Sequence, residues 1–225
     1  MLKTLLLRWG VIIALNVEKV VNGPFQQNAY VVWNSTHSFV IDPGGGSDRI
    51  IDIIKSNGLS PSAILNTHAH LDHIGAISTL IQFGQYPFYL HQDEIELLNS
   101  ANEYTILFGI PNIDIPMVDS ILDKSVKLNF SGYEVEVIET PGHTVGGVSY
   151  LIDDHLFTGD TLFSGSIGRT DLPGGDLDIL LHSIHNKLMS LDESIVVHAG
   201  HGSDTSIGVE KRTNPFLQSW VYLNI

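Results

Sequence analysis

Four apolar runs in this chain each stop at a short polar turn, and each turn carries a histidine or an aspartate. Ala63 to Asn66 leads straight into His68, and Tyr133 to Ile138 reaches His143 through Thr140-Pro141-Gly142. His155 to Thr158 reaches Asp160 through Gly159, and Ile195 to Val197 reaches His201 through His198-Ala199-Gly200. Short runs rich in β-branched and aromatic residues, closed by turn formers, read as strands. Strand ends that present the same class of side chain four times constrain the fold, because the strands must run so that those ends share one edge, where binding groups are commonly displayed.

Around these ends the apolar period switches between 2 and 3.6. Val17 to Val21, Ala29 to Trp33 and Ser38 to Ile41 are expected strands, the last stopped by Asp42-Pro43-Gly44-Gly45-Gly46. Ser47 reads as the N-cap of a helix over Asp48 to Asn57, in which Ile50, Ile51, Ile53 and Ile54 suit one buried face and which Gly58 ends. Ile74 to Phe83 and Glu94 to Phe108 are expected helices, with a strand over Pro87 to Leu90 between them. In the second half, Val126 to Phe130 and Tyr133 to Ile138 form a hairpin across Ser131-Gly132, and Gly147 to Ile152 pairs with His155 to Thr158 across Asp153-Asp154. Asp176 to Ser190 reads as a helix before the last strand. Strands and helices in both halves call for two sheets, each covered by helices on its outer face, an α/β fold of the αββα sandwich type. Periodicity by itself also fits one doubly wound sheet.

The 225 residues, 43% hydrophobic, can bury one large core. No repeat or Pro/Ser-rich linker divides them, so residues 17–225 are read as a single domain. Residues 1–16 are an extension of uncertain status: Arg8 and Gly10 interrupt its apolar run and no small-residue cleavage site follows, so a cytoplasmic protein is expected rather than a secreted one. The formal charge of −14 repels phosphate backbones and anionic lipid, which argues against nucleic acid or a membrane surface as partner and leaves a small molecule. Cysteine is absent, which excludes disulfides, iron–sulfur clusters, thiolate zinc sites and a cysteine nucleophile. Any metal must be held by histidine and carboxylate.

His68, His70, Asp72 and His73 crowd into six positions after the Ala63 to Asn66 strand, and with His143, Asp160 and His201 they make seven donors. A catalytic zinc usually takes three protein ligands and keeps one position open, so seven suit two divalent ions, with Asp160 able to bridge. Zinc leads this expectation, and imidazole with carboxylate also suits iron or manganese. The remaining histidines, His37, His91, His155, His182, His185 and His198, lack such a setting and read as ordinary core or surface residues.

The His68-x-His70-x-Asp72-His73 motif resembles that of the metallo-β-lactamase superfamily. So do Pro141-Gly142-His143-Thr144, Thr158-Gly159-Asp160-Thr161 and Gly200-His201-Gly202. The resemblance runs from about Val17 to the end and implies that superfamily's four-layer αββα sandwich. It implies that His68, His70 and His143 bind one metal, that Asp72, His73 and His201 bind the other, and that Asp160 bridges. Asp42 resembles the aspartate that steadies the ligand loop from behind. The β-lactamases of the best-known class use a cysteine ligand that this chain lacks. Ser166 to Asp176 and Thr205 to Leu217 look like the single-domain glyoxalase II proteins, which implies hydrolysis of S-2-hydroxyacylglutathione or a related thioester. The tail after His201 is too short for the basic helical domain of the two-domain enzymes, so Arg169, Lys211 and Arg212 are the candidates for binding substrate carboxylates. Two cations flanking a water bring its pKa to about neutral, Asp72 can orient it, and a thiolate can leave without a general acid, so Asp72 and Asp160 are the expected catalytic carboxylates. An iron-dependent persulfide dioxygenase of the same superfamily would use His68, His143 and Asp160 alone and is the alternative, followed by a lactonase and by a non-catalytic metal-binding domain.

Overall fold

The computed structural model describes residues 15–35, 37–122, 127–130 and 133–218. Most of the 1–16 extension, the end of the chain, Val126 and the Ser131-Gly132 turn lie outside them. Six strands, β1 (Asn16–Asn22), β2 (Gln27–Trp33), β3 (Ser38–Ile41), β4 (Ala63–Leu65), β5 (Phe88–His91) and β6 (Ser120–Leu122), form the first sheet in chain order. Its first three strands are antiparallel and its last four parallel. The second half contributes β7 (Lys127–Phe130), β8 (Tyr133–Glu139), β9 (Val148–Ile152), β10 (His155–Gly159), a hairpin of β11 (Leu162–Phe163) and β12 (Ser166–Ile167), and then β13 (Val196–Ala199) and β14 (Thr205–Ser206). The second sheet runs β14-β13-β10-β9-β8-β7, with β10 and β13 parallel.

The layers follow from the period of two. In β2, Ala29 and Val31 enter the core under the helices α1 (Ser47–Ser56), α3 (Ile77–Gly84) and α4 (Ile95–Phe108), while Tyr30 and Val32 enter the core between the sheets. In β4, Ile64 goes outward and Ala63 and Leu65 inward. In the second sheet Val148, Tyr150, Ile152 and Phe157 meet the first sheet. Leu156 and Ile138 face a third core with α5 (Leu177–Ser183) and α6 (Ile207–Thr213). A sheet apolar on both faces must be covered on both, which gives four layers, helix, sheet, sheet, helix, as expected. Each fully buried Leu, Ile or Phe in them contributes about 1.5–3 kcal/mol of transfer free energy.

Three local expectations are corrected. The cap of α1 is Gly46, in the left-handed region at φ 63°, and Ser47 is already helical, because the Gly-rich turn reaches helical geometry one residue early. The helix expected over Ile74 to Phe83 is two pieces, α2 (Leu71–Ile74) and α3. Between them Gly75 packs against the Gly44 carbonyl, which a Cβ would meet at 2.5 Å, and Ala76 N–H donates to Pro43 O at 2.9 Å. The helix expected over Asp176 to Ser190 starts from Asp176 as a cap, which accepts from Ile179 N–H, and turns after Ser183 into a π-helical segment, Ile184–Leu188. Among the described residues no helix is long and apolar enough to cross a membrane.

Candidate metal centre

The ends of β4, β8, β10 and β13 all open on one edge of the sandwich, since β8, β10 and β13 run in the same direction through the ladder. Asn28 N–H donates to Gly200 O at 2.7 Å and Gln27 bridges His201, so the two sheets are tied at that edge. Glycines let the backbone close in there: a Cβ at Gly159, φ 49°, would strike Thr67 Oγ1, and one at Gly200 would strike Asp160 Oδ1.

All seven expected donors meet at this edge. Donor atoms of His68, His70 and His143 lie within 4.8 Å of one another, as do those of Asp72, His73 and His201. Asp160 sits between the trios, with Oδ1 3.4 Å from His73 Nε2 and Oδ2 3.7 Å from His143 Nε2 and 3.5 Å from His201 Nε2. His201 Nε2 is also 3.2 Å from Asp72 Oδ2.

The outer nitrogens of four rings are spoken for, which aims the other nitrogen inward. His143 Nδ1 donates to Arg169 O at 2.8 Å and His201 Nδ1 to Phe25 O at 3.1 Å, because a carbonyl only accepts. His68 Nδ1 lies 3.0 Å from Thr67 Oγ1, whose own hydrogen goes to Asp42 Oδ2 at 2.6 Å. His73 Nδ1 lies 3.0 Å from the same Asp42 oxygen, and Asp42 Oδ1 accepts from Thr67 N–H at 2.7 Å. Both Asp42 oxygens are thus engaged behind the ligand loop, so this carboxylate orients His73 and is not free to be a ligand, although it lies near His68 and His73.

His68 Nε2, His73 Nε2 and Asp160 Oδ1 are buried without a hydrogen-bond partner among the described residues. His70 Nδ1 and His143 Nε2 face each other at 2.9 Å. Buried polar atoms left unpaired are costly, and here they converge in two trios of imidazole and carboxylate, a donor set that fits divalent zinc, iron or manganese.

The two trios differ in charge. Burial, then the neighbouring His73, His70 and His143, hold the His68 imidazole well below its ordinary pKa, and burial with His143 brings His70 down to about 4. In the other trio burial works the same way but is outweighed. Asp160 and Asp42 raise His73, and hydrogen bonds to Asp160 and Asp72 push His201 up to about 10. The Asp160 carboxyl is held well below the usual range despite its burial, by His73 and His201. A divalent cation in the second trio competes with protons, and one in the first meets neutral nitrogen.

Apart from Asp42, the sequence signals did not find the supports. The buried Glu94 accepts from Ala69 N–H through Oε2 and from Gly146 N–H through Oε1, each at 2.8 Å, and so clamps the loop of His68 and His70 to the loop of His143. Glu94→Ala leaves two buried N–H groups unpaired, at about 1–3 kcal/mol each, so a loss of about 2–4 kcal/mol is expected in urea unfolding, and a loss under about 0.5 kcal/mol would show that the clamp carries no weight. Asn66 Nδ2 donates to His73 O at 2.9 Å, while Asn28 Nδ2 and Tyr30 Oη both donate to Ala199 O. His198 is a support too. It is buried against Phe157, with Nε2 2.8 Å from His155 Nδ1 and Nδ1 3.3 Å from Asp204, as the bland reading of that residue has it.

The three candidate substrate cations separate. Arg169 lines the cavity of about 430 Å³ that opens over the cluster. Lys211 and Arg212 do not line it: they lie on α6 and pair with Glu193 at 3.9 and 2.9 Å. The basic side of α6 is turned toward Glu193, in the segment before β13.

The sequence profile of the metallo-beta-lactamase superfamily matches residues 22–201, the span that holds every donor. The chain belongs to the metallo-beta-lactamase superfamily. Within it, the probable metallo-hydrolase YqgX of Bacillus subtilis is 42% identical over 88% of this chain and 95% of its own length. The hydroxyacylglutathione hydrolase GloC of Haemophilus influenzae is 40% identical over 91% and 99%. Among solved structures, the BLEG-1 B3 metallo-beta-lactamase superposes with a TM-score of 0.85 at 42% identity, covering 90% of this chain and 99% of that one. TTHA1623 in a di-iron-bound form gives 0.81 at 38%, covering 89% and 100%. The chain is a metallo-hydrolase of that superfamily. The missing cysteine argues only against lactamases that use that ligand, and the BLEG-1 B3 metallo-beta-lactamase is 42% identical to this chain.

Proposed function

We propose that the protein is a thioester hydrolase of glyoxalase II type. His68, His70 and His143 would hold one divalent cation and Asp72, His73 and His201 a second, with Asp160 between the two trios. The observation that carries this reading is the meeting of the seven donors at one edge, where His70, Asp72, His143, Asp160 and His201 line a cavity that, among the described residues, offers no carboxyl group besides Asp72 and Asp160. Two cations, when bound, supply an acidified water and an electrophile for the scissile carbonyl. Asp72 Oδ2, at the cavity wall beside His201, accepts a hydrogen bond from the attacking water and fixes its direction. The apolar remainder of the wall lowers the local dielectric, which strengthens each charge interaction beside it. A thiolate, with an aqueous pKa of about 8.5, leaves without a proton donor, whereas an amine needs one. The likeness to GloC supports a thioester and makes S-lactoylglutathione one of the first two substrates to assay.

Turnover of S-lactoylglutathione or of an uncharged thioester, followed at the thioester absorbance, is expected to vanish with chelator and to return with added metal. No turnover of either by protein shown to carry two metal equivalents would overturn the reading. The likeness to BLEG-1 favours β-lactam ring opening as a second reading, and a chromogenic cephalosporin in the same assay decides it. Oxygen uptake with a thiol persulfide tests the dioxygenase alternative.

A further inference from the structure

Above the donor cluster the cavity continues between elements that the chemistry does not use. Leu97, Tyr104, Leu107 and Phe108 of α4 line one wall, at spacings that put them on one side of the helix. That side adjoins the one through which Leu98, Ala101 and Thr105 are buried, and Ala101 belongs to both, lining the cavity as well. Phe25, from the turn between β1 and β2, meets Phe108 edge to face at 5.4 Å across the mouth, and Leu172 lines the cavity from the segment before α5. Leu107 is 75% exposed and Phe108 48%, more apolar surface than a helix needs to hold its place.

Charge points the same way. Arg169 is the one lysine or arginine among the described residues that line the cavity, and its Nε and Nη2 each donate to an Asp171 oxygen at 2.7 Å. The Nη1 group and the second Nη2 hydrogen remain for a substrate carboxylate, but Asp171 already offsets most of the charge that would attract one. Glutathione brings two carboxylates and an ammonium into a chain of net charge −14.

We propose that the group seated in this cavity is apolar and uncharged, an aliphatic or aromatic acyl or thiol moiety of the thioester, rather than the glutathione tripeptide. The inference rests on the thioester reading and narrows it. Its test is kcat/KM of the metal-loaded protein on two series. One series holds acetyl, butanoyl, hexanoyl and octanoyl thioesters of N-acetylcysteamine; the other holds acetyl thioesters of alkanethiols of the same lengths; S-lactoylglutathione runs beside both. In at least one series kcat/KM is expected to rise about three- to fourfold per methylene until the cavity is filled, and to pass the value for S-lactoylglutathione. The double variant Leu107→Gln, Phe108→Ser, changed at exposed positions and checked by its melting temperature, is expected to flatten that rise. Profiles flat or falling in both series, a rise that the double variant leaves intact, or S-lactoylglutathione as the best substrate would overturn the inference while thioester hydrolysis stands. No turnover of any thioester would overturn both.

Discussion

Asp160→Ala is expected to lower thioester kcat/KM by more than about a hundredfold and to take bound metal with it. Residues that merely support metal ligands cost 10–100-fold when changed, and Asp160 is placed between both trios, within 3.4 to 3.7 Å of His73, His143 and His201. The substitution removes a buried carboxylate whose negative charge offsets the histidines around it, so cations would meet a site with less opposing charge and two trios no longer joined. Activity and metal content, measured on the same preparation, should fall together. A variant that keeps both metals and full turnover would refute the bridging role.

Asp42→Asn is the second change with a large expected effect, and it acts through a tautomer. Aspartate accepts at both oxygens, so it holds the His73 proton on Nδ1 and leaves Nε2 turned toward Asp160. Asparagine fits the same backbone, whose φ of 48° it tolerates, and its carbonyl can still accept from Thr67 N–H. Its NH₂ then stands where Oδ2 accepted, donates to His73 Nδ1, and drives the ring proton to Nε2, the atom that faces the second metal position. Affinity at that position, and kcat/KM with it, should drop about 10–100-fold with the fold intact. Isothermal titration of the metal-free variant reads this directly, and unchanged affinity at both positions would contradict it.

The donors were legible because they are chemically distinctive and fall at strand ends, so that local pattern and sheet geometry pointed to one place. The presence of strands and helices in both halves likewise pointed to two covered sheets, and the unbroken apolar runs of β2 and β4 suit strands buried on both faces. What stayed hidden depends on distant partners. Glu94 is an unremarkable acid at a helix start until Ala69 and Gly146 bring their N–H groups to it, and Tyr30 looks like any strand aromatic until its hydroxyl reaches Ala199. Lys211 and Arg212 carry the right charge for a substrate carboxylate, but the side that α6 turns toward Glu193 is set by packing. The π-helical segment after Ser183 adds a residue to a turn without changing the apolar pattern enough to be read. Most of the cavity wall belongs to this hidden class, since Phe25, Phe108 and Leu172 come from three separate stretches.

The account rests on two cations held by seven side chains and used to cleave a thioester. The measurement that tests it most directly is a titration of the metal-free protein with zinc, and separately with ferrous iron and manganese, reading bound metal and thioester turnover in the same samples. The account predicts two equivalents bound, with turnover following the second. One equivalent sufficing for full turnover, or two bound with no thioester cleaved, would contradict it.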